Sequence, residues 1–189
     1  MPKNIKAKPV ATLFFTEQIE TTIKIVKHFA NSKEFSPAML FNSLLSLVIL
    51  PFESAKTRDG EKIFPGSFAD IQKKLKFAPI IFQPINKCED GTVKYYNKTT
   101  YAFVKKFRHA IAHQNIEIPE SENTTVHIRL FNKFQCRYCK KCKQKECVKK
   151  GLKYTTSAIK DFEIDVSIEQ LQSIALYIAN CYLKAIKGK

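Results

Sequence analysis

Residues 100–115 read TYAFVKKFRHAIAHQN, and this stretch decides what kind of chain it is. Phe103, Phe107, Ala110 and Ile111 recur at helical spacing, so one face of a helix here is apolar. Thr100 suits the N-cap, because its hydroxyl can accept from a backbone N–H of the first turn. The other end is different: Arg108, His109 and His113 fall within six residues. Such groups on a helix otherwise built for a core are costly unless something uses them. His109 and His113 are four apart and share a face. Arg108 and His113 are five apart, about 140° round an ideal helix. They converge on one ligand only if the helix frays at His113, or if a second copy of the chain completes the site. An imidazole titrates near neutrality and can move a proton. A guanidinium beside it can hold a phosphate and the charge that develops on it. That pairing suits cleavage of a phosphodiester without metal. The competing account is a capped surface helix, since basic residues near a C-terminus also interact well with the helix dipole.

Outward from this stretch the chain reads mainly as helix. Thr16 can cap a helix to about Asn31, with Ile19, Ile23, Val26 and Ala30 on one face. Ser36-Pro37 is a strong start signal for a second, apolar nearly all round and running to about Ser54. Pro51 should kink or stop it, and Glu53 follows as either an exposed cap residue or a neighbour of the site. Ser67 caps a short helix to about Phe77. Pro79 and Pro84 then force an extended passage, and Asp90-Gly91 is a turn. No role follows from the sequence for residues 57–98. Ser167 with Gln170 forms a capping box for the last helix, whose inner face is Ile168, Leu171, Ala175, Ile178 and Tyr182.

Two segments alternate instead. Val126, Ile128 and Leu130 interleave with His127, Arg129 and Phe131, and Phe162, Ile164 and Val166 with Asp161, Glu163 and Asp165. Paired antiparallel, they form a hairpin with one apolar face. Its other face sets His127 and Arg129 against the three acids, so a structural role for His127 outweighs a catalytic one.

Between these strands four of the six cysteines crowd into twelve residues: Cys136, Cys139, Cys142 and Cys147. Thiolates so spaced suit a tetrahedral, structural Zn2+ site, with an iron–sulfur cluster as the rival. From Lys133 to Lys153 stand eight Lys and one Arg against one acid. Lys140, Lys141, Lys143 and Lys145 are a reasonable grip on phosphates, with Tyr138 available to stack on a base. A solvated charge run is the plainer alternative.

The composition agrees with a polyanion partner. The 189 residues carry 32 basic and 17 acidic side chains, a formal net charge of +15, and nucleic acid is the commonest polyanion that such a field attracts. No run of 18 apolar residues occurs, no signal-peptide pattern stands at the start, and no strongly amphipathic stretch favours a membrane surface. A cytoplasmic location is therefore expected, with the cysteines as reduced thiols or metal ligands.

RHAIAH at residues 108–113 resembles the R-x4-6-H motif of HEPN domains (higher eukaryotes and prokaryotes nucleotide-binding). The polar His109 after the Arg, and Ala110, Ile111 and Ala112 before His113, fit that pattern. The resemblance implies an all-α bundle acting as a homodimer, with the two motifs meeting across the interface. It implies a metal-independent endoribonuclease in which the ribose 2′-OH attacks the adjacent phosphate. His113 would be general acid or base, Arg108 the phosphate holder, and His109 a second proton carrier or positioner; catalysis would need no cofactor. Toxin–antitoxin, abortive-infection and antiviral systems are the family's settings, which brings in an antitoxin or defence-system protein as a further partner. The alternatives are a non-catalytic RNA- or nucleotide-binding module, or the interaction half of such a pair. The expected fold is thus all-α: one HEPN-like helical domain over residues 1–189, with four main helices and a short one. A β-hairpin, with strands at about 125–131 and 161–166, is inserted into it and carries the basic four-cysteine tip at 132–160.

Overall fold

The computed structural model describes residues 10–29, 37–56, 60–89, 92–119, 126–134 and 159–188. They group into two units: residues up to Ile63 together with those from Gln172 onward, and Phe64–Leu171.

The first unit is helical. Helix α1 spans Val10–Phe29 and starts six residues before Thr16, because nothing between Val10 and Phe15 breaks a helix. Ile19, Ile23 and Val26 are buried along it. Helix α2 (Pro37–Leu44), a π-helical turn (Leu45–Ile49) and helix α3 (Leu50–Lys56) follow without a loop. Pro51 neither stops nor ends this run. A proline ring crowds the carbonyl four residues back. Here the preceding turn is wider, and Leu50 N–H bonds to Leu45 O, five residues back. Leu40, Leu44, Leu47, Val48, Phe52 and Ala55 are buried, while Glu53 is half-buried in the first turn of α3. Helix α4 (Gly60–Ile63) closes this part of the chain.

The second unit overturns the all-α expectation. Of the described residues 62% are helical and 24% are strand. Helix α5 (Phe68–Leu75) starts in a capping box: Ser67 Oγ accepts from Asp70 N–H (3.3 Å), and Asp70 Oδ2 accepts from Ser67 N–H (3.2 Å). The Ser67 hydrogen bonds hold the Asp70 carboxyl below its ordinary range. Then come β1 (Pro79–Phe82), a hairpin of β2 (Ile85–Glu89) and β3 (Thr92–Tyr95), helix α6 (Thr100–Ala112), β4 (Ile116–Glu117), β5 (His127–Phe134) and β6 (Ile159–Ser167). The β5–β6 pair is the middle of a four-stranded antiparallel sheet, ordered β1-β6-β5-β4. Two segments not expected as strands supply its edges. The passage bounded by Pro79 and Pro84 becomes β1, with proline at the first position of an edge strand, where its missing N–H costs nothing. The chain beyond His113 turns straight into β4. The apolar face of the sheet (Ile128, Leu130, Phe162, Ile164, Val166) is almost fully buried.

Helix α7 (Ile168–Lys187) begins at the Ser167–Gln170 capping box, with Gln170 N–H to Ser167 Oγ at 3.3 Å and Ser167 N–H to Gln170 Oε1 at 3.0 Å. Among the described residues no helix is long and apolar enough to cross a membrane.

Candidate functional site

Helix α6 is fixed at its start, along its length and at its end. Thr99, not Thr100, is the cap: its side chain accepts from Ala102 N–H at 3.1 Å. Thr100 is buried and its N–H bonds to Gly66 O at 3.0 Å. Along the helix Phe103 is the hub of a phenylalanine cluster. Its ring centroid lies 5.2–6.1 Å from those of Phe68, Phe77, Phe82, Phe107 and Phe162. Such pairs add about 0.5–1.5 kcal/mol each beyond area burial. They tie α6 to α5, β1 and β6.

The C-terminal end is a Schellman motif. Asn115 N–H bonds to Ala110 O (2.9 Å) and Gln114 N–H to Ile111 O (3.1 Å), with Gln114 left-handed at φ 54°. His113 is the C-cap residue, at φ −100° and ψ 9°. His113 N–H keeps the helical bond to His109 O at 3.1 Å, so the chain leaves the helix only beyond His113 and the motif retains its helical spacing. The chain then enters β4, and Phe131 N–H holds Asn115 O at 3.1 Å. The turn that carries His113 is thus anchored to the sheet.

His109 and His113 come together, their ring centroids 4.1 Å apart and tilted by 47°. His113 is exposed and His109 half-buried. Burial pushes the His109 imidazole down to about 4; the neighbouring His113, Lys106 and Arg108 oppose its protonation further, and Asp161 only partly offsets them. His109 is therefore neutral at pH 7. It can offer one N–H and one lone pair, but no proton at that pH. Arg108 is half-buried one residue away.

Beneath His109 lies a buried polar knot. Lys106 is 6% exposed, and its Nζ sits 2.5 Å from Asp161 Oδ2 and donates to Ile85 O at 2.9 Å. Asp161 also accepts from Ile85 N–H (2.9 Å) and Asn132 Nδ2 (2.7 Å). A register shift puts it there. Asn132 pairs with Phe162 but Lys133 with Lys160, so Asp161 is the extra residue of a bulge, and bulges re-aim side chains. Glu163 and Asp165 keep to the polar face, where Asp165 takes His127 (2.9 Å) and Arg129 (3.3 Å), and Glu163 takes Lys160 (2.9 Å).

A cavity of about 340 Å³ opens above this knot, lined in part by Lys105, Lys106, His109, Asn132, Lys133 and Phe134. Arg108 and His113 do not belong to its lining.

Of the residues singled out from the sequence, His109 and His113 are in contact, and Arg108 stands beside them. Cys136, Cys139, Cys142 and Cys147, with Lys140, Lys141, Lys143, Lys145 and Tyr138, lie outside the described residues. Lys106 and Asn132 went unnoticed in the sequence, and Asp161, expected on the polar face opposite His127 and Arg129, lies instead with Lys106, Ile85 and Asn132. One signal was present: Lys106 falls on the apolar stripe of α6, between Phe103 and Ala110, and a lysine there needs a buried acid.

No curated protein and no solved structure matches the chain. The profile of the family described as HEPN pEK499 p136 matches residues 3–189, nearly the whole length. With that match extending far beyond the RHAIAH motif, the chain belongs to this HEPN family.

Proposed function

We propose that the protein is a metal-independent endoribonuclease that cleaves RNA through attack of the ribose 2′-OH, in the setting of a toxin or an antiviral defence effector. The observation that carries this reading is the His109–His113 pair at the C-terminal end of α6, with Arg108 next to His109 in the chain. His113, exposed at the helix end, is the proton carrier, as general base or acid. Arg108 neutralises the phosphate as charge develops on it. His109, kept neutral, is a hydrogen-bonding positioner and not a second acid. The attack forms a bond from the 2′-oxygen to phosphorus and breaks the bond to the 5′-oxygen. One proton leaves the 2′-OH and one reaches the departing oxygen. The products are a 2′,3′-cyclic phosphate and a 5′-hydroxyl end. Family membership is consistent with ribonuclease or nucleotide-binding chemistry, and the net charge of +15 favours a nucleic acid.

The same proposal includes a homodimer in which the two motifs meet, a Zn2+ held by Cys136, Cys139, Cys142 and Cys147, and phosphate contacts from the lysines between them. An antitoxin or defence-system protein is the further partner that this setting implies.

The test is cleavage of total RNA by purified protein in the presence of chelator. His113→Ala and Arg108→Ala should each lower the rate by about a hundredfold or more without unfolding the protein. RNA with a 2′-deoxy residue at the cut, and DNA, should resist. Cleavage that requires added Mg2+, or a His113→Ala protein as active as the parent, would overturn the reading. Retained RNA binding with no turnover in the parent would leave a binding module in its place.

A further inference from the structure

Resting on the ribonuclease reading, the geometry points to the cavity beside His109 as a subsite that holds the base of a nucleotide flanking the cut. His109 is common to the two places: it lines the cavity and its ring lies 4.1 Å from that of His113. An RNA strand passing His113 therefore has this cavity as the recess next to its scissile phosphate. At about 340 Å³ the cavity falls in the range of small-molecule sites, roughly 300–1,000 Å³.

Its lining has the mixture that a nucleotide demands. Phe134 and Ile85 supply apolar walls; Phe134 is half-buried, with the Lys106 ammonium 5.6 Å from its ring centre, and its ring is the aromatic group in the lining on which a base can stack. Lys105 and Lys133 flank the same cavity, the Lys105 ammonium donating to Tyr96 Oη and that of Lys133 lying 5.1 Å from the centre of the Phe131 ring, so both cations stand at its rim, where a phosphate can draw them in. No carboxylate belongs to the lining described, because the Asp161 side chain is wholly covered beneath Lys106 and Asn132. A free anion would need the cations but not the aromatic wall, and a hydrophobic ligand the reverse.

Asn132, 3% exposed and held by its Nδ2 donating to Asp161, closes the floor of the cavity. Phe134 is thus the stacking residue of the subsite.

The experiment uses His113→Ala full-length protein, which binds without cutting, and a fluorescein-labelled single-stranded RNA ten nucleotides long. A single abasic position is walked along the strand. One position should lower affinity by roughly tenfold or more, the scale of one stacked base, and Phe134→Ala should abolish that position's effect while weakening the intact strand to match. Phe134→Leu, which keeps an apolar side chain in place, should behave the same way, so a folding defect in the alanine variant does not decide the matter. Uniform sensitivity to the abasic site, or a sensitive position unchanged in both Phe134 variants, overturns the subsite. Failure of the parent to cleave RNA, with the abasic pattern intact, overturns only the nuclease reading. Cleavage with a flat abasic pattern overturns only the subsite.

Discussion

Replacing Asp161 with alanine should be among the most damaging single changes available in the second unit. The substitution strands the Lys106 ammonium, which is 6% exposed, and removes the acceptor from Ile85 N–H and Asn132 Nδ2. Breaking a buried pair from one side costs about 3–5 kcal/mol. The two orphaned donors, Ile85 N–H and Asn132 Nδ2, add to this, while the Lys106 bond to Ile85 O is unchanged. A loss of at least about 3–5 kcal/mol is a large share of a typical total of roughly 5–15. In a chain of this size it corresponds to a melting point lower by about 6–20 °C. Amide hydrogen exchange on α6, β5 and β6 reads the effect where it belongs and does not assume that both units melt together. The second arm is a double-mutant cycle. Lys106→Met with Asp161→Asn removes both charges and keeps one acceptor, so the pair should be less damaging than the sum of its singles. An Asp161→Ala protein with unchanged exchange, or a strictly additive cycle, would refute the idea that this knot holds α6 to the sheet.

The burial of His109 makes a second prediction, about pH. As pH falls from 6.5, the unfolded chain takes up a proton that folded His109, at about 4, refuses. The His109 contribution to stability should therefore decline between those values, level off below about 4, where protonation of the depressed Asp70 carboxyl brings a loss of its own, and be unaffected above 6.5. Urea titrations at several pH values should show the decline in the parent and less of it in His109→Asn. Purified protein should carry about one Zn2+ per chain by elemental analysis; a brown chromophore would mean an iron–sulfur cluster, and metal-free folded protein would remove the proposed zinc site. RNA affinity should fall steeply with salt. Neutralising Lys140, Lys141, Lys143 and Lys145 together should flatten that dependence, and unchanged affinity would assign the lysines another partner.

What could be read in advance divides along physical lines. Local rules sufficed where local chemistry decides. Ser67 and Ser167 cap their helices, and the alternation in 126–131 and 161–166 marks paired strands. The motif helix was legible through its stripe of Phe103, Phe107, Ala110 and Ile111, all of them buried. The sheet as the centre of a unit was not, because β1 and β4 are short and have no alternation of their own; they exist through pairing with longer neighbours. The position of Asp161 was hidden for a related reason. Simple alternation puts it beside Glu163 and Asp165, and only the bulge at the Asn132–Lys133 register turns it under α6. A strand pattern states which side chains alternate, not where the ladder slips.

The π-helical turn at Leu45–Ile49 has a consequence for how this family's sequences can vary. A π turn holds one more residue than the α turn it replaces. Deleting one residue there would let the helix close as a regular α turn, and Phe52 and Ala55, both buried, would keep their bearing toward the core. The same deletion in the regular turns of α2 or α3 would rotate everything beyond it by about 100°. Single-residue gaps in related sequences should therefore collect between Leu45 and Ile49 and be avoided on either side. Such a gap takes away the wider turn before Pro51, so it should go with the loss of that proline.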